Sequence, residues 1–225
     1  MKNTYVLGNW KSNKTMEEAK LWIEGYSANK PVLPENTSVI VCPAFHHLSL
    51  FDSHTLGISL GVQDLSLFDT GAYTGEIAAS MVKGVVQYAM IGHSERRTKL
   101  QETNEQVSKK ALQAMAQGIR PVVCVSDMSQ VQALHSAIPS YSGLILYEPV
   151  GAIGSGAAST PESADAQARE IIKILGPVEV LYGGSVVPEN VSRFVSLPNI
   201  CGVGVGGASL DALKFIQVIS SLESH

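Results

Sequence analysis

Eight short apolar segments, separated by longer segments of helical pattern, constrain the fold of this chain more than any other feature. They are rich in Val, Ile, Leu and Tyr and comprise Tyr5–Leu7, Ser38–Cys42, Ile58–Gly61, Tyr88–Ile91, Pro121–Val125, Leu144–Tyr147, Val178–Tyr182 and Cys201–Val205. Apolar strands that alternate with helices form a parallel sheet covered by those helices. Eight strand–helix units are the number that closes a (β/α)8 barrel, so the sequence predicts an α/β fold with eight parallel strands and outer helices.

Four helices are clear from apolar residues that recur every three or four positions. They are Met16–Gly25, Thr103–Gln117, Pro161–Leu175 and Leu210–Leu222. Thr160 followed by Pro161 is typical of a helix start, and Gly176 of a helix end. No linker or low-complexity tract divides the chain, so we expect residues 1–225 to form a single domain. A doubly wound open sheet would give a similar pattern and is the alternative fold.

The composition argues against several classes of protein. A net charge of -4 and a pI near 5.9 do not fit a nucleic-acid-binding protein. No segment has the ~18 apolar residues of a membrane span. Cys42, Cys124 and Cys201 lie far apart in apolar segments, so we expect buried thiols and a cytoplasmic location. His46 and His47 are adjacent, without metal-ligand spacing, so we expect them in a loop and expect no metal site.

Polar or glycine-rich motifs follow five of the eight predicted strands. Barrel active sites are built from the loops at the C-terminal strand ends, so we expect these motifs to meet at one mouth. They are Gly8-Asn9-Trp10-Lys11, Gly92-His93-Ser94-Glu95-Arg96, Glu148-Pro149, Gly183-Gly184-Ser185 and Gly206-Gly207-Ala208-Ser209. Taken singly, Lys11 could be a solvated lysine, His93 a structural histidine and each glycine pair a turn. Their joint placement indicates a catalytic site.

The glycine pairs after the seventh and eighth strands predict a phosphate site. Without side chains, backbone N–H groups at Gly183-Gly184 and Gly206-Gly207 are free to face an anion. In barrels, the loops after these two strands frequently bind phosphate. The small, glycine-rich segment 150–159 is expected to be a lid that brings the N–H near Gly154 to the phosphate and excludes water. An ordinary flexible loop is the alternative interpretation.

The motifs taken together resemble the triosephosphate isomerase family. The resemblance spans nearly the whole chain through GNWKSN at 8–13, GAYTGE at 71–76, IGHSERR at 91–97, YEPV at 147–150, TPE at 160–162, LYGGSV at 181–186 and VGVGGASL at 203–210. It implies a TIM barrel and an isomerase of glycolysis and gluconeogenesis. The implied reaction interconverts dihydroxyacetone phosphate and D-glyceraldehyde 3-phosphate by proton transfer through an enediolate, with neither cofactor nor metal.

The resemblance also implies a role for each residue of the site. Glu148 would remove the proton from carbon, since a carboxylate in a closed, dry pocket is a stronger base than one in water. A neutral His93 would polarise the carbonyl and shuttle protons between the two oxygens. Lys11 and Asn9 would stabilise negative charge on the substrate oxygens. The implied phosphate ligands are Gly154, Ser185, Gly206 and Gly207.

Four further residues have supporting roles by the same resemblance. Ser94 would hold the glutamate in the open state, and Tyr182 would hydrogen-bond the closed lid. Glu95 would orient the Lys11 region. Thr74 would enter the site of a neighbouring subunit, which implies a homodimer. Short members of the family also form tetramers, and the sequence does not decide between the two assemblies.

The chain departs from the family pattern at several positions. Gly151 stands where the family usually has Trp and Ala157 where it has Lys, so we expect a looser lid hinge. A Gly151→Trp change should then alter turnover or methylglyoxal release. Ser12 replaces an apolar residue, and Ser126-Asp127 replace Gly-Glu. The fifth helix is short, with only Ser129–Ala137 available for it.

Two other functions compete with this interpretation. Another phosphate-binding barrel enzyme, such as an epimerase or a phosphoribosyl isomerase, would share the glycine cradle. A catalytically impaired or inactive barrel that retains phosphate-ligand binding would share the fold. The combination of Lys11, His93 and Glu148 argues against both.

Overall fold

The strands close into a single barrel in which each strand pairs in parallel with the strands before and after it. The computed structural model describes residues 2–149 and 159–223. Strand order is sequential from β1 to β8, and β8 returns to pair with β1. The predicted (β/α)8 barrel is confirmed, and the open, doubly wound sheet is excluded because a closed barrel has no edge strands.

The observed elements agree closely with the predicted ones. The strands are β1 (Thr4–Asn9), β2 (Thr37–Cys42), β3 (Ser59–Val62), β4 (Tyr88–Ile91), β5 (Arg120–Val125), β6 (Leu144–Tyr147), β7 (Glu179–Tyr182) and β8 (Gly202–Val205). The helices are α1 (Met16–Ala28), α2 (Ser53–Leu56), α3 (Ala79–Val82), α4 (Ser94–Lys99), α5 (Asn104–Ala116), α6 (Met128–Ala137), α7 (Pro161–Leu175), α8 (Val191–Val195) and α9 (Ala212–Ser220). Short 3-10 helices lie at Phe45–Leu50, Gly207–Leu210 and Ser221–Glu223.

The last predicted helix is wrong at its start. Leu210 ends a 3-10 turn that begins at Gly207, and Asp211 separates this turn from α9. The Asp211 carboxylate accepts a hydrogen bond from the N–H of Lys214 at 2.8 Å and so caps α9. The chain therefore reaches the barrel mouth as a tight turn before the helix starts.

Alternate residues of each strand face the two sides of the barrel wall. In β1, Tyr5 and Leu7 belong to a buried cluster made only of strand residues, whereas Val6 belongs to a second cluster that also contains helix residues such as Trp22. This alternation follows from the two-residue repeat of a strand. The inner cluster fills the barrel and comprises Tyr5, Leu7, Ile40, Cys42, Met90, Val122, Cys124, Leu144, Leu146 and Leu181.

An ion-pair cluster lies at the N-terminal end of the barrel. Arg120 Nη2 is 2.6 Å from Glu179 Oε2, and Arg120 Nη1 donates to Tyr5 Oη at 2.9 Å. Tyr5 Oη in turn donates to Glu179 at 3.0 Å. Burial favours the neutral acid, but hydrogen bonds from Arg120, Asn3 and Tyr5 outweigh burial and lower the pKa of Glu179. These contacts link the starts of β1, β5 and β7 across the barrel floor.

Two expectations about local environment need correction. Cys42 and Cys124 are buried as predicted, and burial raises the pKa of the Cys42 thiol to about 12, but Cys201 is only partly buried. His47 is not a loop residue: it lies in the 3-10 helix Phe45–Leu50 and is fully buried. Within residues 2–149 and 159–223, no helix is both long enough and apolar enough to cross a bilayer.

Candidate active site

A cavity of about 370 Å³ opens at the C-terminal ends of the strands. It is lined by residues at the ends of β1, β4, β6, β7 and β8, which lie far apart in the sequence. The predicted site residues that line it are Asn9, Lys11, His93, Glu148, Ser185, Gly206 and Gly207. The barrel topology therefore brings together the motifs that the strand-end rule singled out.

Glu148 and His93 form a direct pair at the bottom of this cavity. Glu148 directly follows β6, and its N–H donates to Val125 O at 2.8 Å, which continues the β5–β6 ladder by one residue. His93 Nε2 lies 2.8 Å from Glu148 Oε1, and the N–H of Ser94 donates to Glu148 Oε2 at 2.9 Å. Both side chains are buried. Each carboxylate oxygen of Glu148 is thus held by a donor from the β4–α4 junction.

The hydrogen bonds of His93 define its protonation. His93 is the N-cap of α4, and its Nδ1 accepts a hydrogen bond from the N–H of Glu95 at 3.2 Å. A ring nitrogen that accepts from an amide carries no proton. We therefore assign the proton to Nε2, which makes the ring a neutral donor toward Glu148.

Lys11 reaches the same cavity from a strained turn after β1. Its backbone φ is +54°, a left-handed conformation that is uncommon for a residue with a side chain. The Lys11 N–H donates to Asn9 Oδ1 at 3.0 Å, and Gln63 Nε2 donates to the Lys11 carbonyl at 2.9 Å. Gln63 also donates to Cys42 O at 2.9 Å. Lys11 is thus fixed by the ends of three neighbouring strands.

Glu95 is the ion-pair partner of Lys11. Lys11 Nζ lies 2.6 Å from Glu95 Oε1. Burial favours the neutral acid, but the hydrogen bond and charge of Lys11 outweigh burial and lower the pKa of Glu95. The ionised carboxylate thus holds the ammonium group of Lys11 by charge and by a hydrogen bond.

The two glycine pairs line the same cavity as Lys11. A Cβ added at Gly207 would meet no heavy atom within 4 Å, and one added at Gly206 would meet only Lys11 Cε, at 4.0 Å. In contrast, a Cβ at Gly184 would lie 2.1 Å from Tyr182 Oη. Gly184 is therefore required by packing, whereas Gly206 and Gly207 leave space that a ligand can occupy.

Tyr182, the last residue of β7, contacts Ser159 just before α7. Its ring is fully buried and stacks on Phe194, with ring centroids 3.9 Å apart. Tyr182 Oη accepts hydrogen bonds from the N–H of Ser159 at 3.0 Å and from Ser159 Oγ at 3.1 Å. The hydroxyl thus anchors the C-terminal end of the expected lid, just before α7.

Not every predicted residue is among those that line this cavity. Thr74 is exposed in the loop between β3 and α3 and does not line the cavity. Gly151, Gly154 and Ala157 lie outside the described residues, as does most of the expected lid. Asp127, one of the departures from the family pattern, caps α6 by accepting from the N–H of Gln130 at 3.1 Å.

Three residues that support the site were not predicted. Gln63 directly follows β3, so the strand-end rule could have found it. Arg97 Nε donates to Gly92 O at 2.7 Å, which fixes the peptide before His93. Asn190 Nδ2 donates to Ser185 O at 2.9 Å and stabilises the loop after β7, but no local sequence signal indicates this contact.

The site presents a base, neutral and cationic donors, and two glycine pairs that line the cavity. Among residues 2–149 and 159–223, no group of three or more His, Cys, Asp or Glu side chains is arranged to hold a metal ion. The described groups are suited to moving a proton while stabilising a developing oxyanion.

Known proteins of one family match this chain over nearly its full length. Residues 4–222 match the family model described as triosephosphate isomerase. A triosephosphate isomerase from Thermus thermophilus is 36% identical over 248 aligned positions, covering 97% of this chain and 98% of the relative. Proteins of the same name from Polynucleobacter asymbioticus and Mycoplasmopsis pulmonis are 36% and 34% identical, with at least 97% of each chain covered. The chain belongs to the triosephosphate isomerase family.

Proposed function

We propose that this protein is a triosephosphate isomerase that interconverts dihydroxyacetone phosphate and D-glyceraldehyde 3-phosphate in glycolysis, without a cofactor. The observation that carries the proposal is that Lys11, His93, Glu148 and the Gly206-Gly207 pair line one cavity. Its volume of about 370 Å³ suits a small ligand. The glycine amides and Ser185 bind the phosphate end, and Asn9 and Lys11 bind the oxygens of the reacting carbons.

Substrate binding separates the Glu148–His93 pair. The Nε2 proton of His93 cannot serve both Glu148 Oε1 and a substrate carbonyl oxygen. When the carbonyl takes this donor, the carboxylate of Glu148 leaves His93 and the Ser94 N–H and turns to the substrate carbon. Ser94 and His93 therefore hold the base in its resting position.

Proton transfer then follows from the arrangement of the freed groups. Glu148 takes a proton from C1 of dihydroxyacetone phosphate, and the C–H electron pair forms the enediolate. Neutral His93 and the Lys11 ammonium stabilise the negative oxygen, and His93 moves a proton between O1 and O2. Glu148 returns its proton to C2, which gives D-glyceraldehyde 3-phosphate and restores the base.

The lid acts while the intermediate is present. The N–H near Gly154 binds the phosphate, and the bond from Ser159 to Tyr182 anchors the segment on its C-terminal side. Closure excludes water, which strengthens the electrostatic stabilisation of the enediolate.

The assembly is a homodimer in this proposal, and a tetramer is the alternative. Phe68 and Tyr73 stack with ring centroids 4.1 Å apart, and both are nearly half exposed although they are aromatic. They share a loop with Thr74, so the pair supports an interface at which Thr74 reaches the partner's site. We further propose a single domain over residues 1–225 and a cytoplasmic location, which the three free cysteines support.

A coupled assay of D-glyceraldehyde 3-phosphate isomerisation tests the reaction and the base together. We expect the purified chain to be active, and Glu148→Gln and Glu148→Asp each to lower kcat by about 100- to 10,000-fold. Glu105→Gln, at an exposed glutamate on α5, is the matched control and should keep wild-type activity. A folded wild-type chain without activity would refute the proposal and favour a binding-only barrel.

A further inference from the structure

Lys14 is held in an unusual backbone conformation close to the site. Its φ is +76°, in the left-handed region that residues with a side chain seldom adopt. Such a conformation persists only where the surrounding structure enforces it. Lys14 lies three residues after Lys11, in the same loop between β1 and α1, and is not among the residues that line the cavity.

The side chain of Lys14 crosses to the loop after β8. Its Nζ donates to the carbonyl of Leu210 at 2.7 Å and lies 5.1 Å from the centre of the Trp10 ring. Among the described residues, no carboxylate lies within ion-pair distance of this ammonium group. Burial lowers the pKa of Lys14, and the nearby charges of Glu18 and Asp211 oppose that shift. The ammonium group therefore has a backbone acceptor in Leu210 and an aromatic face in Trp10.

Leu210 is the last residue of the 3-10 turn Gly207–Leu210, whose first residues line the cavity. The same turn is held by two other contacts: Trp22 Nε1 donates to Ser209 O at 3.0 Å, and Ser209 Oγ donates to Gly206 O at 2.7 Å. The turn is therefore fixed at its C-terminal end by side chains from the β1–α1 loop and α1. Its N-terminal end, at Gly207 and Ala208, lines the cavity.

We propose that Lys14 is a positioning residue that sets the 3-10 turn Gly207–Leu210 relative to Lys11, so that Gly206 and Gly207 present their N–H groups to a phosphate. The inference rests on the proposed function in that the ligand is a phosphate monoester. Lys14 itself does not touch the ligand. It joins the loop that carries Lys11 to the turn whose N–H groups would bind the phosphate. Its backbone is held at a positive φ in this position.

The test uses three variants of Lys14 and one control. Lys14→Met keeps the length and the strained backbone but loses the hydrogen bond. Lys14→Gly loses the bond and relieves the strain, because glycine adopts positive φ readily. Lys14→Arg keeps a cation that can donate to Leu210. Lys20→Met, at an exposed lysine of α1, is the matched control.

Three quantities separate positioning from a merely structural role. They are the affinity for inorganic phosphate by calorimetry, kcat and KM for D-glyceraldehyde 3-phosphate, and Tm. In Lys14→Met and Lys14→Gly we expect phosphate affinity to fall and KM to rise by about tenfold each, with kcat changed by less than about twofold. Lys14→Gly should have a higher Tm than Lys14→Met, and Lys14→Arg should recover most of the phosphate affinity.

Unchanged phosphate affinity and KM in both Lys14→Met and Lys14→Gly would overturn the proposal, whatever happens to Tm. Should one variant fail to fold, the other still gives both measurements. Phosphate binding also separates this inference from the proposed reaction. A wild-type chain that does not isomerise the triose, but binds phosphate with an affinity that falls in Lys14→Met and Lys14→Gly, would refute the reaction and leave the positioning role intact.

Discussion

His93 Nε2 lies 2.8 Å from Glu148 Oε1, so in the ligand-free protein the proposed electrophile and the proposed base are hydrogen-bonded to each other. Both side chains are buried, and the Nδ1 of His93 is occupied by the N–H of Glu95. The ring therefore has one proton to give, and it is directed into the cavity. Catalysis in this site requires that this proton change its acceptor from Glu148 to the substrate.

This relationship predicts the effect of replacing His93. Glutamine can still donate one hydrogen bond toward Glu148, but its amide cannot pass protons between two oxygens. We expect His93→Gln to fold normally and to lower kcat by about 100- to 10,000-fold, with a smaller change in KM. Steady-state kinetics and circular dichroism measure the two properties. A folded variant with nearly wild-type kcat would show that His93 is a structural histidine.

A second prediction concerns Gln63, which sequence reasoning missed. Its amide donates to the carbonyls of both Lys11 and Cys42, so it supports the left-handed turn that carries Lys11. In Gln63→Leu both carbonyls lose a donor, at a cost of about 1–3 kcal/mol. We expect a lower Tm and a fall in kcat/KM of about tenfold, because Lys11 is less well fixed. A lower Tm with unchanged kcat/KM would mean that Gln63 stabilises the barrel without orienting Lys11.

The barrel itself could be predicted because each strand is a continuous apolar segment between polar breaks. The bounds of Tyr88–Ile91 and Leu144–Tyr147 are the predicted ones, and α7 is bounded by a clear cap at Thr160 and a glycine at Gly176. The predicted C-terminal helix begins at Leu210, two residues before α9, because Leu210 fits the helical period. Apolar spacing does not distinguish a 3-10 turn from the first turn of a helix.

The site was predictable where its residues follow strands in recognisable motifs. Gln63 was missed because β3 ends one position later than Ile58–Gly61 and because Gln63 belongs to no glycine-rich or catalytic motif. The bond from Lys14 to Leu210 joins positions 196 residues apart, so no local pattern reports it. The loop expectation for His46 and His47 followed from their lack of metal-ligand spacing, which does not report burial, and packing against Trp10 buries His47.

A third prediction tests the glycine cradle without disturbing the fold. A Cβ at Gly207 would meet nothing within 4 Å, so Gly207→Ala should fold as well as the wild type. The added methyl group would face the cavity and obstruct the phosphate, so we expect KM to rise by about tenfold or more with little change in Tm. Gly25→Ala, in α1, is the control. Its Cβ would make an ordinary 3.5 Å contact with Ala212 Cβ, and the change should leave KM unaltered. An unaltered KM in Gly207→Ala would remove this glycine from the phosphate site.

The last prediction concerns stability in acid and the buried His47. Neither ring nitrogen of His47 has a hydrogen-bond partner among the described residues, and the ring contacts His46 with centroids 3.8 Å apart. Burial, followed by the charges of His46 and Lys14, lowers the pKa of His47. The unfolded chain therefore binds this proton more readily than the folded one. The contribution of His47 to folding stability is then complete above the pKa of the unfolded chain, near 6.5, and declines as the pH falls below that value.

We expect His47→Phe, which keeps an aromatic ring beside Trp10, to lose less stability than the wild type between about pH 7 and 5, measured by urea unfolding. The same change at the exposed His135 is the control. Equal losses in His47→Phe and the wild type would show that His47 does not contribute to acid unfolding.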